Sequence, residues 1–418
     1  MDTRPGLGDL ARRFLGLGCI AFGGPVAHLA HFQSRFVEDE KWMDESTFAD
    51  LVALCQSLPG PSSSQTCFAI GVLQRGWVGG LVAWGCFILP SALLMTGLAA
   101  GMTVLTNLDV GLLHGLAVAA IAVILNAMLG LAGRLTPDGP TRGLALLAAS
   151  VLFVLPLLAP QLTTVATLGA VLLCGLLGSR MRSAEAQTST RVECNTVSTG
   201  VARMAFALFL AAAFLPGVLQ ALGVGSIDPA AGLLRSGAFV FGGGHVVLPL
   251  LQAEVVDPGW VDQATFLAGY GGANAVPGPM FSFGAFLGGV MDADGWPTSV
   301  GGIGGVLLGA LCGVVALNLP GLAVVVACLP FWEDVRHRPA VRSTLRGINA
   351  GVVGLLGAAL LLAAVAVFEV SLARGAGWIM FDAMLVAVGF TLLRTKRAPP
   401  WAVVLGTGSL VATVLTLA

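Results

Sequence analysis

Thirteen apolar runs follow one another along this chain, at 10–31, 50–73, 77–101, 110–132, 143–158, 162–178, 204–222, 233–254, 264–290, 300–329, 345–368, 377–393 and 400–417. A helix of roughly 17 residues or more can cross the ~30 Å hydrocarbon core of a bilayer. A soluble domain keeps about a quarter of its residues charged. Here 10% are charged and 56% hydrophobic, with the excess spread over all 418 residues. The sequence therefore predicts an all-α polytopic membrane protein with about 13 transmembrane helices, whose lipid-facing surface is apolar too. A net charge of −1 leaves no basic surface for nucleic acid. The runs at 10–31, 50–73 and 264–290 carry Gly and Pro that can break their helices.

The basic residues offer an independent check on the run count. With the N-terminus inside, 17 of the 21 Lys and Arg fall on inner segments, from Arg4, Arg12 and Arg13 to Arg394, Lys396 and Arg397. The exceptions are Arg35, Lys41 and Arg374 on outer segments and Arg235 just inside a run. Such a skew is what the positive-inside rule requires. It predicts a cytoplasmic N-terminus and, with an odd number of crossings, a C-terminus on the far side. The first run lacks a small-x-small cleavage site and reads as a retained span rather than a signal peptide.

The two halves repeat. Gly18-Cys-Ile-Ala-Phe-Gly-Gly24 returns as Gly237-Ala-Phe-Val-Phe-Gly-Gly243, and Gln33 and Val37 return as Gln252 and Val256, at an offset of 219. At an offset of 218, Trp42, Asp44, Thr47 and Phe48 return as Trp260, Asp262, Thr265 and Phe266, and Gln56-Ser-Leu-Pro-Gly-Pro61 as Asn274-Ala-Val-Pro-Gly-Pro279. Leu89-Pro90 is answered by Leu319-Pro320. Rare residues matched in fixed order indicate a duplication: a first repeat over 1–178, a cytoplasmic linker over 179–203, an added helix over 204–222 and a second repeat over 223–418. Seven runs separate the repeat starts, so the second half is expected upside down, an arrangement typical of secondary transporters.

The paired motifs carry the chemistry. Phe22-Gly-Gly-Pro-Val-Ala-His28 and Phe241-Gly-Gly-Gly-His245 place Gly23, Gly24, Pro25, Gly242, Gly243 and Gly244 within apolar runs. Backbone freed there must be buried in protein or face a polar cavity, and freed N–H groups at a helix start attract anions. Close helix packing at Gly is the alternative. Pro59-Gly60-Pro61 and Pro277-Gly278-Pro279 force breaks, with Gln56, Ser62, Ser63, Asn274 and Ser282 beside them; helices starting after each break would point at an oxyanion from opposite sides, or the break is a plain kink or re-entrant turn. His28, His31 and Arg35 share a helical face. His28 is a candidate anion donor or proton carrier, and Arg35 offers a planar fork for an oxyanion or is an interfacial charge. Glu254, in the place equivalent to Arg35, is the other proton-coupling candidate or an exposed carboxylate. His114 and Asn126 read as polar glue between helices. The charged stretch 332–346 reads as a topology anchor.

Cofactors are not indicated. The eight Cys form no CxxC and lie mostly in apolar runs, which points to small buried hydrophobes rather than a metal site or a disulfide framework. No Walker A sequence and no nucleophile elbow occur, so ATP-driven transport is not expected; a membrane-embedded reductase is the alternative of another class, and with no flavin or nicotinamide fingerprint and scattered Cys nothing in the sequence supports it. Oligomerisation is left open.

The sequence Phe-Gly-Gly-Pro-x-x-His, then Gln-x-x-Pro-Gly-Pro, then Phe-Gly-Gly-Gly-His-Val-Val-x-Pro and Asn-x-x-Pro-Gly-Pro resembles the chromate transporter family, in its long-chain form with two homologous halves. The resemblance covers roughly residues 10–390. It implies export of chromate, or of a sulfate-like oxyanion, across a bacterial inner membrane by alternating access, conferring chromate resistance. By motif position it points to Gly23, Gly24, Pro25, His28, Gln56, Pro59, Gly60 and Pro61 in the first half. In the second half it points to Gly242, Gly243, Gly244, His245, Asn274, Pro277, Gly278 and Pro279. Gln56 faces Asn274 in this correspondence, so the two halves are not chemically identical.

Overall fold

The computed structural model of the chain describes residues 5–22, 24–104, 110–158, 163–181, 197–221, 228–240, 247–331 and 339–417. Among them there are helices and turns and no strand. In chain order the helices are α1 Leu7–Ile20, α2 Gly24–Gln33, α3 Glu45–Ser57, α4 Ser62–Val104, α5 Val110–Leu135, α6 Gly139–Leu158, α7 Thr163–Gly178 and α8 Thr199–Ala221. The second half continues with α9 Pro229–Ala238, α10 Val247–Leu251, α11 Gln263–Ala275, α12 Phe283–Val290, α13 Gly302–Cys328, α14 Pro339–Arg374, α15 Ala376–Arg394 and α16 Pro400–Leu417. A π-helical turn prolongs α2 over Ser34–Asp39 and α10 over Gln252–Val256.

All thirteen apolar segments contain helix, but four of them fold back instead of running straight. Arg13 on α1 pairs with Glu40 beyond α2 at 2.8 Å, and the rings of Phe14 and Phe36 lie 4.8 Å apart. In one continuous helix residues 13 and 40 would stand about 40 Å apart. Gln74 donates to the Trp42 carbonyl at 3.2 Å, across residues that a straight helix would separate by about 48 Å. In the second half Arg235 pairs with Glu254 at 2.5 Å, and the Asp292 N–H donates to the Trp260 carbonyl at 2.9 Å. The segments around the breaks are therefore helical hairpins: α1–α2, α3 with the start of α4, α9–α10, and α11–α12. Their arms of 10–14 residues in α1, α3, α9 and α11 rise only ~15–21 Å, too short to cross a bilayer alone. The segment 34–44, expected across the membrane from Arg75, returns instead to the side from which the first hairpin enters.

Local sequence fixes these hairpins. Asp44 caps α3 by accepting from the Thr47 N–H at 2.7 Å, and Asp262 caps α11 through Thr265 at 2.9 Å. That accounts for the repeated Asp-x-x-Thr. Leu58 and Val276, each preceding a proline, are extended at ψ 153° and 151°, as the proline ring requires. Gly60 and Gly278 then take φ +125° and +99°, a region closed to most side chains. The second arm turns sharply into the long limb of α4 at Arg75–Gly76, where Gly76 has φ 65°.

The long helices frame the hairpins. Six helical stretches among the described residues are long and apolar enough to cross a membrane: Ser62–Met102, Gly111–Leu135, Thr199–Leu219, Gly302–Phe331, Ser343–Arg374 and Ala376–Arg394. The first joins a hairpin arm to the long limb of α4. With the shorter α6, α7 and α16, the crossings among the described residues come to nine. The long limb of α4 starts beside its own hairpins, where Gly79 packs on Gly71, and ends with Ala99 against Gly289, at the outer end of the second half's hairpins. In mirror fashion, α13 starts with Gly305 on Thr298. It ends with Val325, Val326 and Leu329 in the cluster that holds Leu10, Phe14 and Phe36. The halves thus enter from opposite ends of a common frame. α8 lies outside it, with Phe214 against Phe239 at 5.6 Å.

The repeat is visible in its contacts. A Cβ on Gly18 would lie 2.5 Å from the Phe87 carbonyl oxygen, three residues before Pro90, and one on Gly237 would lie 2.1 Å from the Leu317 oxygen, three before Pro320. Each half presses its first hairpin against a proline-containing frame helix at glycine. Gly18→Ala and Gly237→Ala should each cost about 1–3 kcal/mol, read as a lower Tm in detergent, whereas Gly85→Ala, with open space around it, should leave Tm near wild type. A second expectation concerns sidedness. In a chain whose own cysteines are replaced, Glu38→Cys should react with an impermeant maleimide from the same side as Arg397→Cys; labelling from opposite sides would show that α1–α2 crosses.

Candidate functional site

The four hairpins meet at their tips. The Gly60 N–H donates to the Val240 carbonyl at 2.5 Å, and the Gly278 N–H to the Ala21 carbonyl at 2.8 Å. Ala21 and Val240 are repeat counterparts, as are Gly60 and Gly278. The Pro-Gly-Pro break of each half is thus tied to the hairpin tip of the other. Two side chains reinforce the knot. Gln65 donates from Nε2 to the Pro59 carbonyl at 2.7 Å and the Gly321 carbonyl at 2.9 Å. His28 lies 3.0 Å from the Ala21 oxygen through Nε2, and since a carbonyl only accepts, that nitrogen carries the proton.

Beside the knot lies a cavity of about 520 Å³. Gly24 and Pro25 reach it from the start of α2, Ser62 from the start of α4, and Met280 from the turn leading into α12. Three helix starts therefore bring backbone N–H groups and the positive ends of their dipoles to one space. Gln56 and Asn274 enter it from the ends of α3 and α11, and the Asn274 amide is oriented by donation to the Tyr270 carbonyl at 2.8 Å. α5 adds Asn126 and α14 adds Asn349. At the mouth stand Arg134, Arg394 and Lys396, all exposed, and among the described residues no carboxylate lines the space. Four amides, a hydroxyl and three cations form a donor-rich chamber suited to an anion with several oxygens. With neither an acid to repel it nor a metal ligand set among the described residues, the electrostatic selection is for negative charge.

Among the described residues, the sequence-predicted ones divide into three groups. Gly24, Pro25, Gln56, Ser62, Asn274 and Gly278 line the cavity. Pro59, Gly60, Pro61, Ser63, Pro277, Pro279, Ser282 and His28 do not line it. Ser63 and Ser282 are buried, and His28 sits edge-on to Phe87 at 5.4 Å. Arg35 and Glu254 are at the outer ends of their hairpins. The Arg35 fork is taken by Glu40 at 2.9 Å and Asp39 at 3.6 Å, and Glu254 is held by both Nε and Nη2 of Arg235, at 3.0 and 2.5 Å. Gly23, Gly242, Gly243, Gly244 and His245 lie outside the described residues. Sequence reasoning set Asn126 aside as glue and passed over Asn349. It read Arg134, Arg394 and Lys396 only as topology markers. Asn126 and Asn349 could have been found as amides stranded in apolar runs; nothing local marks the three cations.

A family model described as chromate transporter matches the chain twice, over residues 8–179 and 227–412. A chromate transport protein of Pseudomonas aeruginosa is 28% identical over 358 residues, covering 84% of this chain and 79% of the relative. A probable chromate transport protein of Synechococcus elongatus is 26% identical over 361 residues, covering 85% and 84%. An uncharacterized transporter of Methanocaldococcus jannaschii is 26% identical over 360 residues, covering 85% and 83%. No solved structure matches the chain significantly. With one family match in each inverted half and hairpin tips knotted between them, the chain belongs to the chromate transporter family, whose members are transport proteins and not enzymes.

Proposed function

We propose that this protein exports chromate, a tetrahedral dianion, across a bacterial inner membrane by alternating access, and so confers chromate resistance. The observation that carries the proposal is the cavity between the inverted halves, lined by four amides, a hydroxyl and three cations, with no carboxylate among the described residues. The names of the relatives supply chromate as the cargo. Sulfate, nearly alike in charge and shape, is the second reading, because helix starts and amides recognise both features and little else. Gly24, Pro25, Gln56, Ser62, Asn274 and Gly278 are the proposed substrate contacts, and Arg134, Arg394 and Lys396 gather the anion at the mouth. The knot residues Gly60, Pro61 and His28 act by holding the tips rather than by touching substrate.

Orientation follows from charge. With α1–α2 folded back, Arg35 and Lys41 join the N-terminal side, and 19 of the 21 Lys and Arg fall on one side of the membrane. Arg374, and Arg235 in its ion pair, are the exceptions. That side is then cytoplasmic, the C-terminus lies outside, and the cation-bearing mouth opens to the cell interior. An interior-negative potential favours efflux. Moving one charge gains ~2.3 kcal/mol per 100 mV, and a dianion about twice that.

Everted vesicles from cells with and without the protein test the proposal. Protein-dependent chromate uptake driven by an imposed potential, and reduced by excess sulfate, is the expected result; no uptake in vesicles that contain the protein would remove chromate as cargo. The paired change Arg394→Gln and Lys396→Gln should raise the concentration for half-maximal uptake about tenfold or more, the scale of electrostatic focusing. Arg397→Gln, outside the cavity lining, should leave it near wild type.

A further inference from the structure

Away from the cavity, three polar side chains meet inside the frame. His114 on α5 approaches Asp382 on α15 at 2.7 Å between Nε2 and Oδ2. Ser371 on α14 hydrogen-bonds the same oxygen, and its hydroxyl also lies 3.1 Å from the Val367 carbonyl. Asp382 and Ser371 are fully buried and His114 is 7% exposed. Asp382 Oδ1 is buried with no hydrogen-bond partner. The surroundings are long apolar helices that read as membrane-spanning. A carboxylate in such a place is costly, and an unpartnered carboxylate oxygen more so. Helix adhesion needs only neutral amides or hydroxyls, so packing alone does not explain an acid facing an imidazole.

We propose that His114 and Asp382, with Ser371 closing the pair, form a proton-binding site whose loading is coupled to the anion cavity; the coupling rests on the transport reading above. One proton on Oδ1 neutralises the acid, which lowers the cost of keeping that oxygen buried without a partner. Its loss leaves a carboxylate facing the imidazole, which can hold charge in turn. The pair is placed to be felt at the cavity. α5 carries His114 near one end and Asn126 about 18 Å further along, with Arg134 beyond, and α15 carries both Asp382 and Arg394. Proton loading changes the tie between the two helices that bear two of the three mouth cations. The other charged groups on α14 are Arg342 and Arg346 near its start, Glu369, which is exposed, and Arg374, which lies over the Trp378 ring at 5.7 Å. α16 carries no titratable side chain.

Two measurements on the full chain in lipid decide it. The first needs no substrate. The carboxyl infrared band and the histidine ring 15N shifts of protein in nanodiscs are followed with pH. A protonation step that is lost in both Asp382→Asn and His114→Gln and kept in Glu369→Gln is expected. No step, or a step that survives both variants or vanishes with Glu369→Gln, overturns the site. His114→Gln keeps a donor toward Asp382 and carries the test should Asp382→Asn fail to fold. The second measurement adds chromate to proteoliposomes holding a pH dye. Wild type is expected to move protons with chromate, and Asp382→Asn to move chromate while losing the proton signal. An undiminished proton signal in Asp382→Asn overturns the coupling. Absence of chromate movement in wild type overturns the transport reading instead, and the substrate-free titration still decides the site.

Discussion

Every break in a membrane helix exposes backbone groups that lipid cannot satisfy, and the architecture of this protein is organised around where those groups go. At the centre they go to each other. The Gly60 and Gly278 N–H groups bond the Val240 and Ala21 carbonyls across the two halves, and Gln65 and His28 occupy neighbouring carbonyls. Neither half can complete its tips alone. The duplication is therefore more than a repeated fold; each copy supplies the hydrogen-bond partners that let the other keep broken helices at membrane depth. The helix starts left over from these breaks open onto the cavity, where their dipoles favour negative charge.

Glycine and proline play complementary parts in this design. Proline dictates where a helix stops and sets the extended residue before it, while glycine permits the turn that follows. The same pairing recurs in the frame, where Gly18 and Gly237 let a hairpin lie against the carbonyls near Pro90 and Pro320. A chain with 57 glycines uses them where backbones must touch, and the frame prolines Pro90 and Pro320 stand where the hairpins touch it.

Most of the fold is legible in the sequence, because apolar length and repeated rare residues report directly on helices and on duplication. The breaks are legible too, since Pro-Gly-Pro admits no continuous helix. Whether a broken segment bends or doubles back is not: both outcomes bury the same residues with the same periodicity. The charge pattern hides the difference as well, because two consecutive hairpins restore the side that two crossings would have reached. Only the loop between them changes side. Its signal was present in Arg35 and Lys41, two of the few exceptions to an otherwise clean segregation. The site was half legible. The repeated Gln56 and Asn274 stand in the cavity, but Arg134, Arg394 and Lys396 each had a sufficient explanation as loop charges. His114 and Asp382, 268 residues apart, share no local pattern at all.

The first half, with its two hairpins, adds four net crossings through the long limb of α4, α5, α6 and α7. An even unit ends on the side where it began, so a tandem copy would insert the same way up, with its tips unable to meet those of its twin from the opposite leaflet. The single helix α8 reverses this. It contributes little to the packed interior, yet without its one crossing the Gly60 and Gly278 bonds would have no partners. A peripheral helix thus acts as a topological hinge: its single crossing turns the second copy over, so that its tips meet those of the first.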